Sequence, residues 1–226
     1  MSDLHVRLDA AAAFDAAVHE LERAVADLPW IGRVDGCPVC WSAEQLQALG
    51  GDPRRVPDDW VRQFAAEIPS HWIEAQYTIM WRAYAPRMLR LLAASPASHL
   101  VNMTIRGVGS REARFDRWPA AHQDAILQAL RALLVVAVLS WHPVETTELL
   151  EGLAYLHDDL GPWLAVIDEL GPEADEAVAR LIETWAGDDL RIFWLWAPEH
   201  VEPSAVLRSW LDSEPVQARR SSRTVR

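Results

Sequence analysis

Residues 121–141, AHQDAILQALRALLVVAVLSW, constrain the fold more than any other stretch. Ile126, Leu127, Leu130, Leu133, Leu134 and Ala137 recur at helical spacing, and Ala132 to Leu139 is apolar on every face. A helix greasy all round is normally buried on all sides, so this one reads as the central helix of a larger helical assembly. The fully apolar run is shorter than the roughly 20 residues a bilayer demands, so a core helix is expected here and not a membrane span.

Helical signals continue on both sides. Met1 to Leu8 reads as a loose start, and Asp9 to Leu28 as an amphipathic helix with Ala13, Phe14, Ala17, Leu21 and Val25 on one stripe. Ser42 and Gln45 form a Ser-x-x-Gln capping box, opening a short helix that closes at Gly50 and Gly51. Pro57, Asp58 and Asp59 start the next, which Pro69 stops. His71 to Ala94 follows as a long helix, bent or split at Pro86, and Ser98 to Arg106 as a short one. Gly107 to Ser110 reads as a flexible join. Helices are then expected over Pro143–His157, from Pro162, from Pro172 through Trp185, over Asp189–Trp196 and over Pro203–Leu211. No alternating β-branched run competes with them.

The fold class is therefore all-α: a multi-helix bundle with a C-terminal, HEAT-like run of helix hairpins. Trp141, Trp163 and Trp185, spaced 22 residues apart, carry the repeat reading. Residues 1–110 form an N-terminal lobe, 111–212 a C-terminal hairpin lobe, and 213–226 a flexible basic tail.

The formal charge of −12 argues against nucleic acid and against an anionic membrane surface, both of which are gripped by Lys and Arg. A protein partner with a basic surface is compatible with it. Acids crowd the second half, among them Asp158, Asp159, Glu169, Asp175, Glu176, Glu183, Asp188 and Asp189. Arg219, Arg220, Arg223 and Arg226 of the tail either fold back onto such a face or serve as a handle for an acidic partner. Twelve Trp residues are unusual, and such rings mostly fill gaps between helices while a minority line interfaces. The N-terminal MSDLHVRLDAAAAF lacks a charged-then-apolar leader pattern, so a cytoplasmic location is expected.

The motif best suited to chemistry is Gly36-Cys37-Pro38-Val39-Cys40-Trp41. Two thiols on one tight turn reach a single ion or each other. In a zinc reading, Cys37 and Cys40 supply half of a tetrahedral site. His71 and His19 complete it, or the same thiols of a second copy in a homo-oligomer. In a redox reading, the helix starting at Ser42 lowers the Cys37 thiolate pKa, but the βαβ framework usual for such enzymes is missing. In the third reading the pair is two small, reduced thiols packed in a loop, the commonest fate of such residues.

Cys37-x-x-Cys40-Trp41, the helix SAEQLQALGG, Val56-Pro57-Asp58-Asp59, Trp72 and Tyr84-x-Pro86-Arg87 together resemble a family of uncharacterised actinobacterial helical proteins. The resemblance covers Gly36 to Leu92 and implies a helical fold. It implies no activity, cofactor or partner.

Other constellations have bland accounts. His19/Glu22, His71/Glu74 and His142/Glu145 are His-x-x-Glu pairs that share a helix face and read as solvated neighbours. The Glu-x-x-His of di-iron bundles, the His-Glu-x-x-His of metalloproteases, the Gly-x-Ser-x-Gly elbow and the phosphate-cradling glycine loop are absent. With no coherent catalytic set, the expected function is non-enzymatic. The chain reads as an interaction module, an adaptor, inhibitor or immunity-like protein, acting through an acidic, Trp-rich helical surface. A zinc-binding or thiol-redox protein using Cys37 and Cys40 is the alternative. A third is a small-molecule binder with a pocket lined by Trp72, Trp81 and Trp118.

Overall fold

The computed structural model describes residues 3–96, 101–157, 160–185 and 202–222. These form eleven α-helices and no strand: α1 (Asp3–Ala24), α2 (Ala43–Leu49), α3 (Asp58–Ala66), α4 (Glu74–Ala94), α5 (Val101–Gly109), α6 (Ala120–Ser140), α7 (Pro143–His157), α8 (Gly161–Asp168), α9 (Asp175–Trp185), α10 (Glu202–Leu211) and α11 (Glu214–Ser222). The all-α reading holds. The helix expected over Asp189–Trp196, together with Asp158, Asp159 and Asp188, lies outside the described residues.

Local signals act where expected at α2. Gln45 N–H donates to Ser42 Oγ at 3.2 Å, and Ser42 N–H donates back to Gln45 Oε1 at 2.8 Å, closing the capping box. Elsewhere packing moves the boundaries. Helix α1 begins at Asp3, so Asp3 to Leu8, expected to be loose, are helical. Its buried stripe is Ala10, Phe14, Val18 and Leu21, continued by Val25 just past its end, while Ala13 faces solvent. Helix α4 runs unbroken through Pro86, which is itself buried. It packs along α1, α3 and α6, so tertiary contacts on both halves offset the one intrahelical bond that proline removes.

Helix α6 occupies the middle, packed against α1, α4, α7, α8 and α9. Ile126, Leu130, Leu133, Leu134 and Ala137 are wholly buried. Ala132, Val135 and Val136 are half-buried, so the burial is less complete than an all-apolar circumference implies. Among the described residues it is the one helix long and apolar enough to cross a membrane by length and composition, and the fold places it at the centre of the bundle.

The division at residue 110 is not a packing boundary. The most extensive helix pairs, α1 with α6 and α5 with α7, cross it, and one hydrophobic core runs from Ala10 to Val216. The glycines that looked like a flexible join serve close approach instead. A Cβ on Gly107 would meet the Trp81 ring at 2.3 Å, and one on Gly109 would meet the Tyr155 carbonyl oxygen at 2.8 Å.

The tail is a docked helix through residue 222. Val216 of α11 is buried, and Arg219 donates to the carbonyls of Ile167 at 3.1 Å and Leu170 at 2.6 Å, at the end of α8. Those carbonyls lie at the negative end of a helix, which a cation suits, and Ile167 O also accepts from Leu170 N–H at 3.2 Å. The tail therefore folds back, with Arg219 also 3.5 Å from Asp175. The tryptophan ruler does not mark a repeat. Trp141 follows the end of α6, Trp163 lies in the first turn of α8, and Trp185 ends α9.

Candidate metal centre

The segment between α1 and α2 is pinned from three sides. Val34 is fully buried and its N–H donates to Leu46 O at 3.2 Å. Asp35 N–H donates to Gln76 Oε1 of α4 at 2.7 Å, and Gln63 of α3 donates to Cys40 O at 3.1 Å. Gly36 passes so close to the Trp72 ring that a Cβ would lie 2.7 Å from it, so this position takes no side chain. Cys37 O then accepts from the N–H groups of Cys40 at 3.1 Å and Trp41 at 3.0 Å, folding the four residues into one tight turn.

Beneath the turn lies an aromatic cluster. Trp41 sits against Trp72 at 5.6 Å between ring centroids, and Phe64 contacts Trp72, Tyr77, Trp81 and Tyr84 at 5.3–5.7 Å. All six rings are buried, and such offset and edge contacts stabilise beyond area alone. This cluster fixes the end of α3 and the short 3-10 turn Pro69–His71, and with them the second half of the site.

His71 comes to the thiols from that turn, 31 residues along the chain from Cys40. Its Nδ1 lies 3.8 Å from Cys40 Sγ. The Sγ atoms of Cys37 and Cys40 and a ring nitrogen of His71 all fall within 4.8 Å of one another, and all three residues are half-buried. Tetrahedral zinc with Zn–S of about 2.3 Å and Zn–N of about 2.0 Å places its ligand atoms roughly 3.5–3.8 Å apart. Small side-chain rotations close the difference.

The fourth side of the cluster is Glu67, which the sequence reading missed. It caps the C-terminus of α3, its side chain is 12% exposed, and its Oε1 is 2.7 Å from His71 Nδ1. Its charge reaches both sulfurs and opposes their ionisation. The two thiols differ. A hydrogen bond from Cys40 holds the Cys37 thiol below its ordinary value. The same bond, with desolvation and the Glu67 charge, pushes Cys40 up to about 11. Cys37 is the thiol that ionises first.

The other expected ligand, His19, is not brought to this place. It lies on α1, largely exposed, 2.8 Å from Glu22 Oε2 and 3.4 Å from Arg90 Nη2. Its helical stripe turns Phe14, Val18 and Leu21 inward, which leaves position 19 facing water. His142 is likewise 3.6 Å from Glu145, as its spacing suggests. His71 departs from that pattern: it pairs with Glu67 behind it, while Glu74 ahead of it bonds Arg114 at 2.8 Å. A Glu four residues before a His was the available signal, obscured because α3 ends just before the pair and no single helix carries both.

Trp72, Trp81 and Trp118 are core rings, 7%, 1% and 3% exposed, and line neither the cavity at the end of α1 nor that at the end of α6. The former, of about 520 Å3, lies between the end of α1, the loops at residues 28–31 and 49–54, and α4, with Trp30 at its rim. Among the described tryptophans Trp30 alone is exposed; Trp60, Trp141 and Trp210 are half-buried.

No protein family, curated protein or solved structure matches this chain.

Proposed function

We propose that this chain is a non-enzymatic, zinc-binding helical protein in which Cys37, Cys40 and His71 hold one ion. The observation that carries the reading is the convergence of two sulfurs and an imidazole nitrogen, from segments 31 residues apart, within one ion's reach. Soft thiolates with an imidazole select zinc among common cellular divalent ions. The ion would clip the loop after α1 to the turn between α3 and α4, adding a cross-link where the chain has no disulfide. A cytoplasmic setting suits a pair of reduced thiols.

Elemental analysis of protein loaded with zinc and then desalted tests this. The expected result is about one zinc per chain, lost in Cys37→Ser and in His71→Ala and retained in His19→Ala. Folded protein that keeps no zinc after desalting overturns the reading.

A second reading, docking of a protein partner, is favoured by three exposed apolar side chains around the same cluster. Val39, between the cysteines, is 92% exposed, and Ile68 and Ile73 on either side of His71 are 53% and 51% exposed. Such side chains beside an ordered loop suit an interface core, and the acidic surface suits a basic rim on the partner. Co-purification from the native cell with the wild-type chain but not with Val39→Asp supports docking. Identical recovery by both rejects this face.

A further inference from the structure

We propose that Glu67 is the fourth ligand of this ion, making a closed Cys37-Cys40-His71-Glu67 site with no open coordination position. The inference rests on the zinc reading and goes beyond it, because three protein ligands alone would leave a place for water and for chemistry.

Three observations place Glu67 in that role. Its carboxylate stands at the C-terminus of α3, the end of a helix that already carries partial negative charge. A carboxylate there gains nothing from the helix, and at 12% exposure it is largely removed from water. Its ion-pair partner among the described residues is His71, whose Nδ1 is also the nitrogen nearest Cys40 Sγ. One imidazole nitrogen is thus shared by a carboxylate and a thiol, an arrangement that a cation at their common centre satisfies.

The thiols of Cys37 and Cys40 release their protons to solvent as the sulfurs coordinate, and Nδ1 coordinates without a proton. Glu67 then has no donor at Nδ1, and its oxygen turns to the ion. Oε1 is 2.7 Å from Nδ1, whereas an oxygen and a nitrogen on one tetrahedral zinc are about 3.4 Å apart. The carboxylate must move about 0.7 Å away from Nδ1 and swing toward the sulfurs, since it does not yet share the 4.8 Å sphere that the two Sγ atoms and the imidazole share. The sulfurs and carboxylate outweigh the ion by one negative charge, which the half-exposed site leaves open to solvent.

Cobalt(II) substitution tests the assignment. Bound to the wild-type chain, cobalt is expected to give thiolate-to-metal charge transfer and the intense visible bands of four-coordinate geometry. Added thiocyanate or imidazole leaves those bands unchanged, because the fourth position is filled. In Glu67→Ala and Glu67→Gln, with helicity checked by circular dichroism, charge transfer persists, affinity falls about tenfold or more, and added thiocyanate shifts the visible bands. A wild-type spectrum that shifts with thiocyanate, or variants as closed as the wild type, overturns the role of Glu67 and leaves the three-ligand site standing. Failure of the wild type to bind cobalt at all overturns the zinc reading itself.

Discussion

Arg82 donates through Nε to Nδ1 of His122 at 3.0 Å, tying the middle of α4 to the first turn of α6. The bond requires a neutral imidazole whose proton sits on Nε2. Burial, and after it the Arg82 charge, hold His122 below the ordinary histidine range, while a hydrogen bond with the Ala24 backbone works in the opposite direction.

The sign of the pH dependence follows. An unfolded chain takes up this proton near about pH 6.5, whereas the native state resists it to lower pH. Stability should fall as pH drops through that range and level off below the native pKa. Urea midpoints at pH 7.5 and 5.5 should separate further for the wild type than for His122→Gln. Equal separations would remove His122 as the cause.

Arg219→Ala should detach α11 from the end of α8. The side chain serves the carbonyls of Ile167, Asp168 and Leu170, and charge-assisted bonds of this kind are worth about 1.5–3 kcal/mol together with the loss of their acceptors' partner. Limited proteolysis near residue 213 should quicken, and the urea midpoint should fall. Unchanged cleavage would show that Val216 burial alone holds the helix.

Phe64→Ala should be among the most damaging single changes. Its ring is fully buried and contacts four other rings, and emptying such a position costs about 3–5 kcal/mol. Because Glu67 follows directly on α3 as its C-cap, zinc retention should fall with stability. Thermal unfolding and zinc content measured on the same sample check both.

Gly107→Ala adds one methyl group where the Trp81 ring leaves 2.3 Å. Trp81 is 1% exposed within the core, so overpacking of about 1–3 kcal/mol is expected. A melting temperature equal to wild type would show that the ring can move aside.

Zinc loading should raise the wild-type melting temperature and leave that of Cys37→Ser unchanged. At one hundred times the dissociation constant the gain is about 2.7 kcal/mol. Equal shifts in both proteins would mean that zinc acts elsewhere.

Much of the site was visible as isolated parts. The Cys-x-x-Cys turn and the candidate His71 are readable from residue type and spacing, and the capping box after Cys40 predicts where α2 begins. Glu67 was not legible, because its relation to His71 depends on how the chain turns between α3 and α4. His19 looked equally eligible as a ligand until the face it occupies on α1 was known. Val18 rather than Ala13 lies on the buried stripe of that helix, and a one-position rotation of an Ala-rich pattern leaves almost no trace in hydrophobic periodicity.

Sequence by itself determined that this chain is built from helices, where most of those helices start and stop, and that α6 lies at its centre. Those properties follow from local backbone preferences and from burial of apolar stripes, both written into neighbouring residues. Tertiary structure decided that α1 pairs with α6 and α5 with α7, that Pro86 stays within one helix, and that Arg219 brings the tail home. It also decided that His71 and Glu67 meet two cysteines some thirty residues away. Contacts of that range depend on shape complementarity between whole helices, and no short window of residues encodes it.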